Sequence, residues 1–348
     1  MTKVKVLVVD DSFFMRRFIS GMLTNSPGIE VIDTAKNGLE AVKKTLELSP
    51  DCITMDVEMP VLDGLEAVRR IMRERPTPIV MLSTLTQEGA EVTLRALSLG
   101  AVDFLPKPVS NPYTGIVELE KELQEKVLAC GTMRRERLYA ASESPAAPAP
   151  LALPAASSTG GHKSRLVVIG SSTGGPNALQ QIIPRLPGSF PSPMVIVQHM
   201  PVGFTRYLAE RLNSISPLEV REAREGDSLR PGTVLLAPGG THLRIDNLRH
   251  VRLTTEPTRH GVRPSVDVTL ETAAAVAGKD AVGVILTGMG SDGAEGLGCV
   301  KRVGGTTLAQ DENSCVVYGM PRAAVEMGYV DQIIPLHGMA EAIAGTVV

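Results

Sequence analysis

The sequence predicts two doubly wound α/β domains, each built on a parallel sheet, joined by a flexible linker. Short runs of branched apolar residues alternate with segments of helical spacing on both sides of residues 131–163. That stretch is rich in Ala, Pro and Ser and has no periodicity, which is typical of a linker. The chain has 348 residues, which is too long for one typical domain.

We therefore place the first domain at residues 1–128, the linker at 129–163 and the second domain at 164–348. The predicted strands of the first domain are KVLVVD, EVIDTA, CITMD, IVMLS and AVDFLPKP. Those of the second are RLVVIG, MVIVQ, TVLLAP, AVGVILTG and TTLAQ. Sites in such sheets form at the carboxyl ends of the strands, so the residues that follow each strand are the candidates.

Composition and charge restrict the class of protein. The hydrophobic content of 43% is ordinary for a globular chain, and a net charge of −3 argues against nucleic acid as a partner. No apolar stretch reaches about 18 residues, so no membrane insertion is expected. We expect a cytoplasmic protein with reduced thiols, because the cysteines are few and widely spaced. Nothing in the sequence demands more than a monomer. The cysteines are Cys52, Cys130, Cys299 and Cys315.

Charged and hydroxyl side chains follow four predicted strands of the first domain. Asp10 and Asp11 end the first strand, Asp56 the third, Ser83 the fourth and Lys107 the fifth. Three carboxylates brought together repel one another unless a cation lies among them, and Mg²⁺ prefers such oxygen ligands. A phosphoryl group would be neutralised beside Mg²⁺ and the lysine, and a carboxylate can accept it covalently.

With this set of residues, the stretch 3–125 resembles the receiver domain of two-component response regulators. The resemblance implies that Asp56 is the phosphoacceptor and that a histidine kinase is the phosphodonor. It also implies that Mg²⁺ is held by Asp11, Asp56 and the carbonyl of Glu58, with Asp10 nearby through water.

The same resemblance implies a switch formed by Ser83, Phe104 and Lys107. Threonine and tyrosine are also common at the first two positions of this switch in receivers. The serine and phenylalanine found here do not alter the prediction of phosphorylation. They leave the amplitude of the switch undetermined.

The second domain opens with IGSSTGGPNAL, in which residues 170–174 fit the pattern G-x-S-x-G between a strand and a helix. Such a turn can expose its central serine above the sheet, so Ser172 is the candidate nucleophile and Ser171 supports the turn. The alternative is a phosphate-binding loop, but the sequence lacks both G-x-G-x-x-G and the lysine of a P-loop.

A serine nucleophile needs a base, and several histidines are candidates. His199 directly follows the strand MVIVQ, whereas His242 and His260 lie in loop contexts. Asp292, in ILTGMGSDGAEG, can orient an imidazole, or it can simply cap the next helix. The order Ser, Asp, His of α/β-hydrolases would instead require His337, so the residues alone leave the base open.

The motifs IGSSTGGP, VIVQHMP, APGG, RPSVD and ILTGMGSDGAEG are similar to the catalytic domain of chemotaxis protein-glutamate methylesterases, the CheB type. The resemblance implies a triad of Ser172, His199 and Asp292. It also implies that Thr173 and the Met289 backbone assist near the oxyanion. The two domains would then be a flavodoxin-like receiver and a Rossmann-like catalytic domain.

The resemblance implies an enzyme that removes methyl esters from glutamate γ-carboxyls of chemoreceptors and also deamidates receptor glutamines. We expect the receiver to inhibit this hydrolase until Asp56 is phosphorylated. The competing hypothesis is a phosphorylation-controlled binding module. No helix-turn-helix with a basic face is evident after residue 160, and a serine-directed organophosphorus probe would separate the two classes.

Overall fold

The computed structural model describes residues 2–84, 86–107, 116–133, 151 and 165–347. The chain divides into two compact units, Met1–Ser144 and Pro145–Val348. Most of the predicted linker lies outside the described residues. Residues 129–131 of the predicted linker are described, and they belong to a helix that ends at Gly131, three residues beyond the predicted boundary at 128.

Strands and helices alternate regularly in the described part of the first unit. They are β1 (Val4–Val9), α1 (Phe13–Thr24), β2 (Ile29–Ala35), α2 (Gly38–Leu48), β3 (Cys52–Asp56), α3 (Gly64–Glu74), β4 (Ile79–Ser83), α4 (Gln87–Ser98), β5 (Asp103–Pro106) and α5 (Ile116–Gly131).

The strands of the first unit form one parallel sheet in the order β2-β1-β3-β4-β5. Every residue of β3 and β4 is buried, as expected for central strands that are covered by helices on both faces. Within the described residues, four helices of this unit begin at side-chain caps, which are Ser12 for α1, Asn37 for α2, Asp63 for α3 and Thr86 for α4. Each cap determines the residue at which a loop at the carboxyl edge of the sheet ends and the next helix begins.

The described part of the second unit has more elements. They are β6 (Leu166–Ser171), α6 (Gly175–Ile182), β7 (Met194–Gln198), α7 (Phe204–Ile215), β8 (Glu219–Glu222), β9 (Thr233–Leu236), β10 (His242–Ile245), β11 (Val251–Thr254), α8 (Val266–Ala277), β12 (Ala281–Ile285), α9 (Ala294–Arg302), β13 (Thr306–Gln310), α10 (Met320–Glu326), β14 (Gln332–Ile334) and α11 (Leu336–Val347).

The second sheet is also parallel, in the order β14-β13-β12-β6-β7-β9-β8, and β10 and β11 form a separate antiparallel pair. The strand β6, which precedes the candidate serine, is central and fully buried. Its neighbours β7 and β12 precede the candidate histidine and aspartate. The predicted class of two doubly wound parallel sheets is therefore confirmed.

Within the described ranges, the structure contains no helix with the length and apolar character needed to cross a membrane.

Candidate functional site

The first unit gathers charged groups at the carboxyl ends of β1, β3 and β5. The Lys107 ammonium lies 2.8 Å from Oδ2 of Asp10 and 2.7 Å from Oδ1 of Asp56. The two aspartates are buried, and the lysine side chain is only 16% exposed. One cation is thus shared between two buried carboxylates at the bottom of a pocket.

The carboxylates of this pocket fit a hard divalent cation. Asp10, Asp11 and Asp56 each offer an oxygen within 4.8 Å of the others. Asp11 and Asp56 border a cavity of about 470 Å³ whose wall also includes Glu58 and Thr84. Oxygen donors with room for retained waters are what Mg²⁺ requires. The structure therefore brings together the four residues predicted for the metal.

Burial dominates the titration of the predicted phosphoacceptor. It raises the pKa of Asp56 to about 6, and the neighbouring Asp10 adds to this, although the contact with Lys107 opposes it. Burial alone would lower the pKa of Lys107, but its two carboxylate partners raise that pKa above its ordinary value. Asp56 is therefore incompletely ionised near neutral pH unless further positive charge enters the pocket.

The raised pKa of Asp56 leads to a prediction for the effect of Mg²⁺ on stability. The folded value of about 6 exceeds the unfolded value of about 3.9. The unfolded chain therefore loses this proton first, and stability falls as pH rises between these two values. Mg²⁺ stabilises the ionised form, so it should raise the receiver's unfolding temperature more at pH 7.5 than at pH 5. Thermal unfolding of the full chain, with and without Mg²⁺, measures this difference.

Asp56→Asn is the control for that measurement, because it removes the titrating carboxyl and one oxygen ligand. The gain from Mg²⁺ should then be smaller and nearly independent of pH. An equal gain at both pH values in the unsubstituted chain would contradict the assignment.

Two of the predicted switch residues, Ser83 in β4 and Phe104 in β5, are buried. Ser83 is buried, and its hydroxyl donates to the carbonyl of Gly89 at 3.1 Å. Phe104 is 5% exposed within β5. The hydroxyl-bearing residue on the cavity wall is Thr84, which the sequence analysis did not single out. The only feature of the sequence that pointed to Thr84 was its hydroxyl group, directly after Ser83 in LSTLT.

In the second unit, three strand ends converge around Ser172. The amide of Ser172 donates to the carbonyl of Thr287 after β12, at 3.0 Å. On the other side, the amide of His199 donates to the carbonyl of Ser171 at 3.1 Å. The predicted nucleophile is thus held between the strand that precedes the predicted base and the strand that precedes the predicted acid.

The predicted base and acid are in direct contact. Nε2 of His199 lies 2.7 Å from Oδ2 of Asp292, and the Asp292 side chain is only 2% exposed. Nδ1 is therefore the ring nitrogen that remains to accept a proton from Ser172. No hydrogen bond among the described residues joins the Ser172 hydroxyl to this ring. Such contacts often tighten only when substrate binds.

Asp292 receives a dense set of hydrogen bonds from the start of α8. Its Oδ1 accepts the Ser265 hydroxyl at 2.7 Å and the Asp267 amide at 3.1 Å, and its Oδ2 accepts the Val266 amide at 2.7 Å. Burial would raise the pKa of Asp292, but His199 and the two backbone amides lower it to about 2. The carboxylate therefore stays ionised and can stabilise a cationic imidazole.

Thr173 directly follows the predicted nucleophile in the chain, and Met289 lies in the loop after β12. The carbonyl of Thr173 accepts the hydroxyl of Thr287 at 2.9 Å, which links the turn after β6 to the loop after β12. Met289 is half-buried and directly follows Gly288, whose α-carbon faces Ser172. The helix α6 begins two residues after Thr173, at Gly175, whose amide donates to the carbonyl of Ser172 at 2.8 Å.

Close packing at Gly288 leads to a second prediction. A methyl group on this residue would lie 2.8 Å from Cβ of Ser172 and 2.4 Å from the sulfur of Met320. We therefore expect Gly288→Ala to displace the nucleophile and lower kcat by about 100-fold. Steady-state methanol release measures the effect, and Gly345→Ala is the matched control because no atom lies within 4 Å of its added methyl. Equal rates for the two variants would refute the prediction.

The other candidate histidines have different partners. His242 is buried and bonds to backbone groups through both ring nitrogens. His260 contacts Asp267 at 2.8 Å, and His337 lies in the first turn of α11. The geometry favours His199 as the base over His337, which the residues alone had left open.

Comparison with known proteins shows the family of each part of the chain. Residues 167–343 match the family described as CheB methylesterase, and residues 6–114 match the response regulator receiver domain. The chain is also 48% identical to a protein of Symbiobacterium thermophilum, over 99% of this chain and 97% of the relative. The chain belongs to the CheB methylesterase family. A relative from Oleidesulfovibrio alaskensis is 47% identical over 99% of both chains.

Both CheB relatives are named protein-glutamate methylesterase/protein-glutamine glutaminase, which matches the predicted enzyme and both predicted activities. A solved structure, the CheB methylesterase catalytic domain of Thermotoga maritima, covers 53% of this chain and 100% of its own. It is 46% identical with a TM-score of 0.52. The family resemblance inferred from the sequence is therefore confirmed.

Proposed function

We propose that this chain hydrolyses γ-glutamyl methyl esters of chemoreceptors, and deamidates receptor glutamines, through Ser172, His199 and Asp292. The observation that supports this most strongly is the contact of 2.7 Å between His199 and Asp292 beside the serine turn. Membership of the CheB methylesterase family supports the substrate class.

The first half of the reaction is acyl transfer to the enzyme. The Ser172 oxygen forms a bond to the ester carbonyl carbon while Nδ1 of His199 takes the hydroxyl proton. The buried carboxylate of Asp292 stabilises the resulting imidazolium. The bond to the methoxy oxygen then breaks, that oxygen takes the proton from His199, and methanol leaves. With a glutamine substrate the same steps release ammonia.

The second half regenerates the serine. Water attacks the acyl carbon while His199 accepts its proton, and the proton then passes to the departing Ser172 oxygen. The product is the γ-carboxylic acid of glutamate, which loses its proton to water at neutral pH and becomes the carboxylate. The negative charge that develops on the carbonyl oxygen in both halves would be stabilised by the backbone near Thr173 and Met289.

Regulation would act through the first unit. A histidine kinase would transfer a phosphoryl group to Asp56, with Mg²⁺ held by Asp11, Asp56 and the Glu58 carbonyl and with Asp10 nearby through water. When bound, Mg²⁺ supplies positive charge that neutralises the phosphoryl oxygens. The modification adds about two negative charges, to which Lys107 and the predicted switch residues Ser83 and Phe104 would respond.

The proposed inhibition by the receiver can be tested by measuring rates of methanol release. We expect a fragment from about residue 160 onward to act on methylated receptor fragments faster than the unphosphorylated full chain. An acyl phosphate donor should accelerate the full chain but not its Asp56→Asn variant. A fragment no faster than the full chain would exclude receiver inhibition, and a donor without effect would exclude the switch.

A further inference from the structure

Gln198 is the last residue of β7, and its side chain lies directly beneath the predicted nucleophile and base. Its Oε1 accepts the hydroxyl of Ser171 at 2.7 Å. Its Nε2 donates to the carbonyl of Ser172 at 2.9 Å and to the carbonyl of His199 at 3.2 Å. The residue is 2% exposed. Both N–H groups of the amide and one lone pair of its oxygen are therefore used within this small region.

The orientation of the amide is determined by these partners. Both main-chain carbonyls can only accept, so the Nε2 end must face them, and the Ser171 hydroxyl must donate to the Oε1 end. The opposite side is closed by α6, because a methyl group on Gly175 would lie 2.1 Å from Oε1. The amide is therefore held by its hydrogen bonds and packed closely against α6.

The sheet hydrogen bonds do not themselves join Ser172 to β7. The ladder between β6 and β7 ends with the bond from the His199 amide to the Ser171 carbonyl. Beyond that point the amide of Ser172 bonds toward the opposite side, to Thr287. The Gln198 side chain provides the connection that the backbone does not make, between the nucleophile residue and the strand that carries the base.

We propose that Gln198 is a positioning residue that fixes the separation of Ser172 and His199 during acyl transfer. This inference rests on the proposed function of the site. It assigns to Gln198 no contact with substrate and no proton transfer. A misplacement of reacting groups by about 1 Å can reduce the rate by about 100-fold, so the alignment that Gln198 provides has a measurable consequence.

The test uses the full chain with an acyl phosphate donor and methylated receptor fragments. Gln198→Leu has a similar size but makes none of the three bonds, and we expect kcat to fall by about 100-fold with KM little changed. Ser171→Ala leaves both Nε2 bonds in place and should cause a smaller loss. Because Ser171 would act through Gln198, the double variant should be no slower than Gln198→Leu alone.

A matched control separates positioning from loss of stability. Thr307 is equally buried in the same sheet, and its hydroxyl bonds to Asp331 at 2.9 Å, remote from the site in the chain. Thr307→Val therefore removes a buried polar contact without touching Ser172 or His199. We expect its kcat to remain near that of the unsubstituted chain at temperatures where both are folded. The rate of Ser172 labelling by a fluorophosphonate should follow the same order as kcat.

Three outcomes would overturn the proposal. They are an unchanged kcat in Gln198→Leu, a loss no larger than that of Thr307→Val at equal folded fraction, and additive losses for Ser171→Ala and Gln198→Leu. In these cases the unsubstituted chain still releases methanol, so the proposed function survives. An unsubstituted chain that neither releases methanol nor reacts with the probe would overturn the proposed function itself.

Discussion

Replacing Ser172 by alanine is expected to lower kcat for methanol release by about 10⁶-fold. The substitution removes the atom that attacks the ester carbonyl in the proposed mechanism. The Ser172 side chain is half-buried, and its backbone bonds to Thr287 and Gln198 do not involve the hydroxyl. The variant should therefore fold normally, and its thermal unfolding midpoint should equal that of the unsubstituted chain. Single-turnover methanol release gives the rate.

Ser171→Ala is the control for this experiment, because it removes the adjacent hydroxyl from the same turn. Its hydroxyl binds Gln198 and has no part in bond formation, so the loss should be far smaller. Comparable rates for the Ser172 and Ser171 variants would mean that the nucleophile has been misassigned.

Asp292→Asn is expected to lower kcat by about 10⁴-fold. The carboxylate accepts four hydrogen bonds, whereas an asparagine presents an NH₂ group at one of its two ends. Where that group faces His199, the ring must accept at Nε2 and carry its proton on Nδ1. The nitrogen that should take the serine proton is then already protonated. The charge that stabilises the imidazolium is lost as well.

The matched control for this second prediction is Asp311→Asn. Asp311 also follows a strand of the same sheet, but its carboxylate bonds to Ser314 rather than to the triad. Methanol release from both variants, measured at pH 7 with equal folded fractions, gives the comparison. A full rate in Asp292→Asn would show that the charge behind His199 is not needed.

Much of the site could be predicted because its residues directly follow strands. Asp10 and Asp56 come immediately after apolar runs, and so does His199. In a parallel sheet such residues are brought to one edge whatever the details of packing. The choice between His199 and His337 could not be made from the residues alone, since it depends on which ring reaches Asp292. That contact joins residues 93 positions apart in the chain.

The supporting contacts could not be predicted, for a related reason. Ser265 and Gln198 are polar residues whose importance comes from what folding places beside them. Ser265 bonds to a carboxylate 27 residues away, and Gln198 bonds to a turn 26 residues before it. Thr84 borders the acidic pocket, whereas the hydroxyl of Ser83 faces α4. That difference depends on local backbone geometry rather than on residue type.

Both edge strands of the second sheet were missed by sequence reasoning. β8 reads EVRE and β14 reads QII, and each has few buried residues because an edge strand is covered less completely than a central one. Their hydropathy is too weak to identify a strand of three or four residues. Neither strand carries a predicted site residue, so the prediction of the site was unaffected.

Ser172, His199 and Asp292, which follow three neighbouring strands, are proposed to form one proton-transfer system. Labelling of the serine with a fluorophosphonate tests this proposal without a receptor substrate. The full chain and its His199→Ala, Asp292→Asn and His337→Ala variants would be treated with a fluorophosphonate. The adduct would then be located by peptide mass spectrometry. We expect a single adduct, on Ser172. Labelling should proceed at the full rate in His337→Ala and should be greatly slowed in His199→Ala and Asp292→Asn. An adduct at another residue, or labelling of Ser172 that is independent of His199, would contradict it.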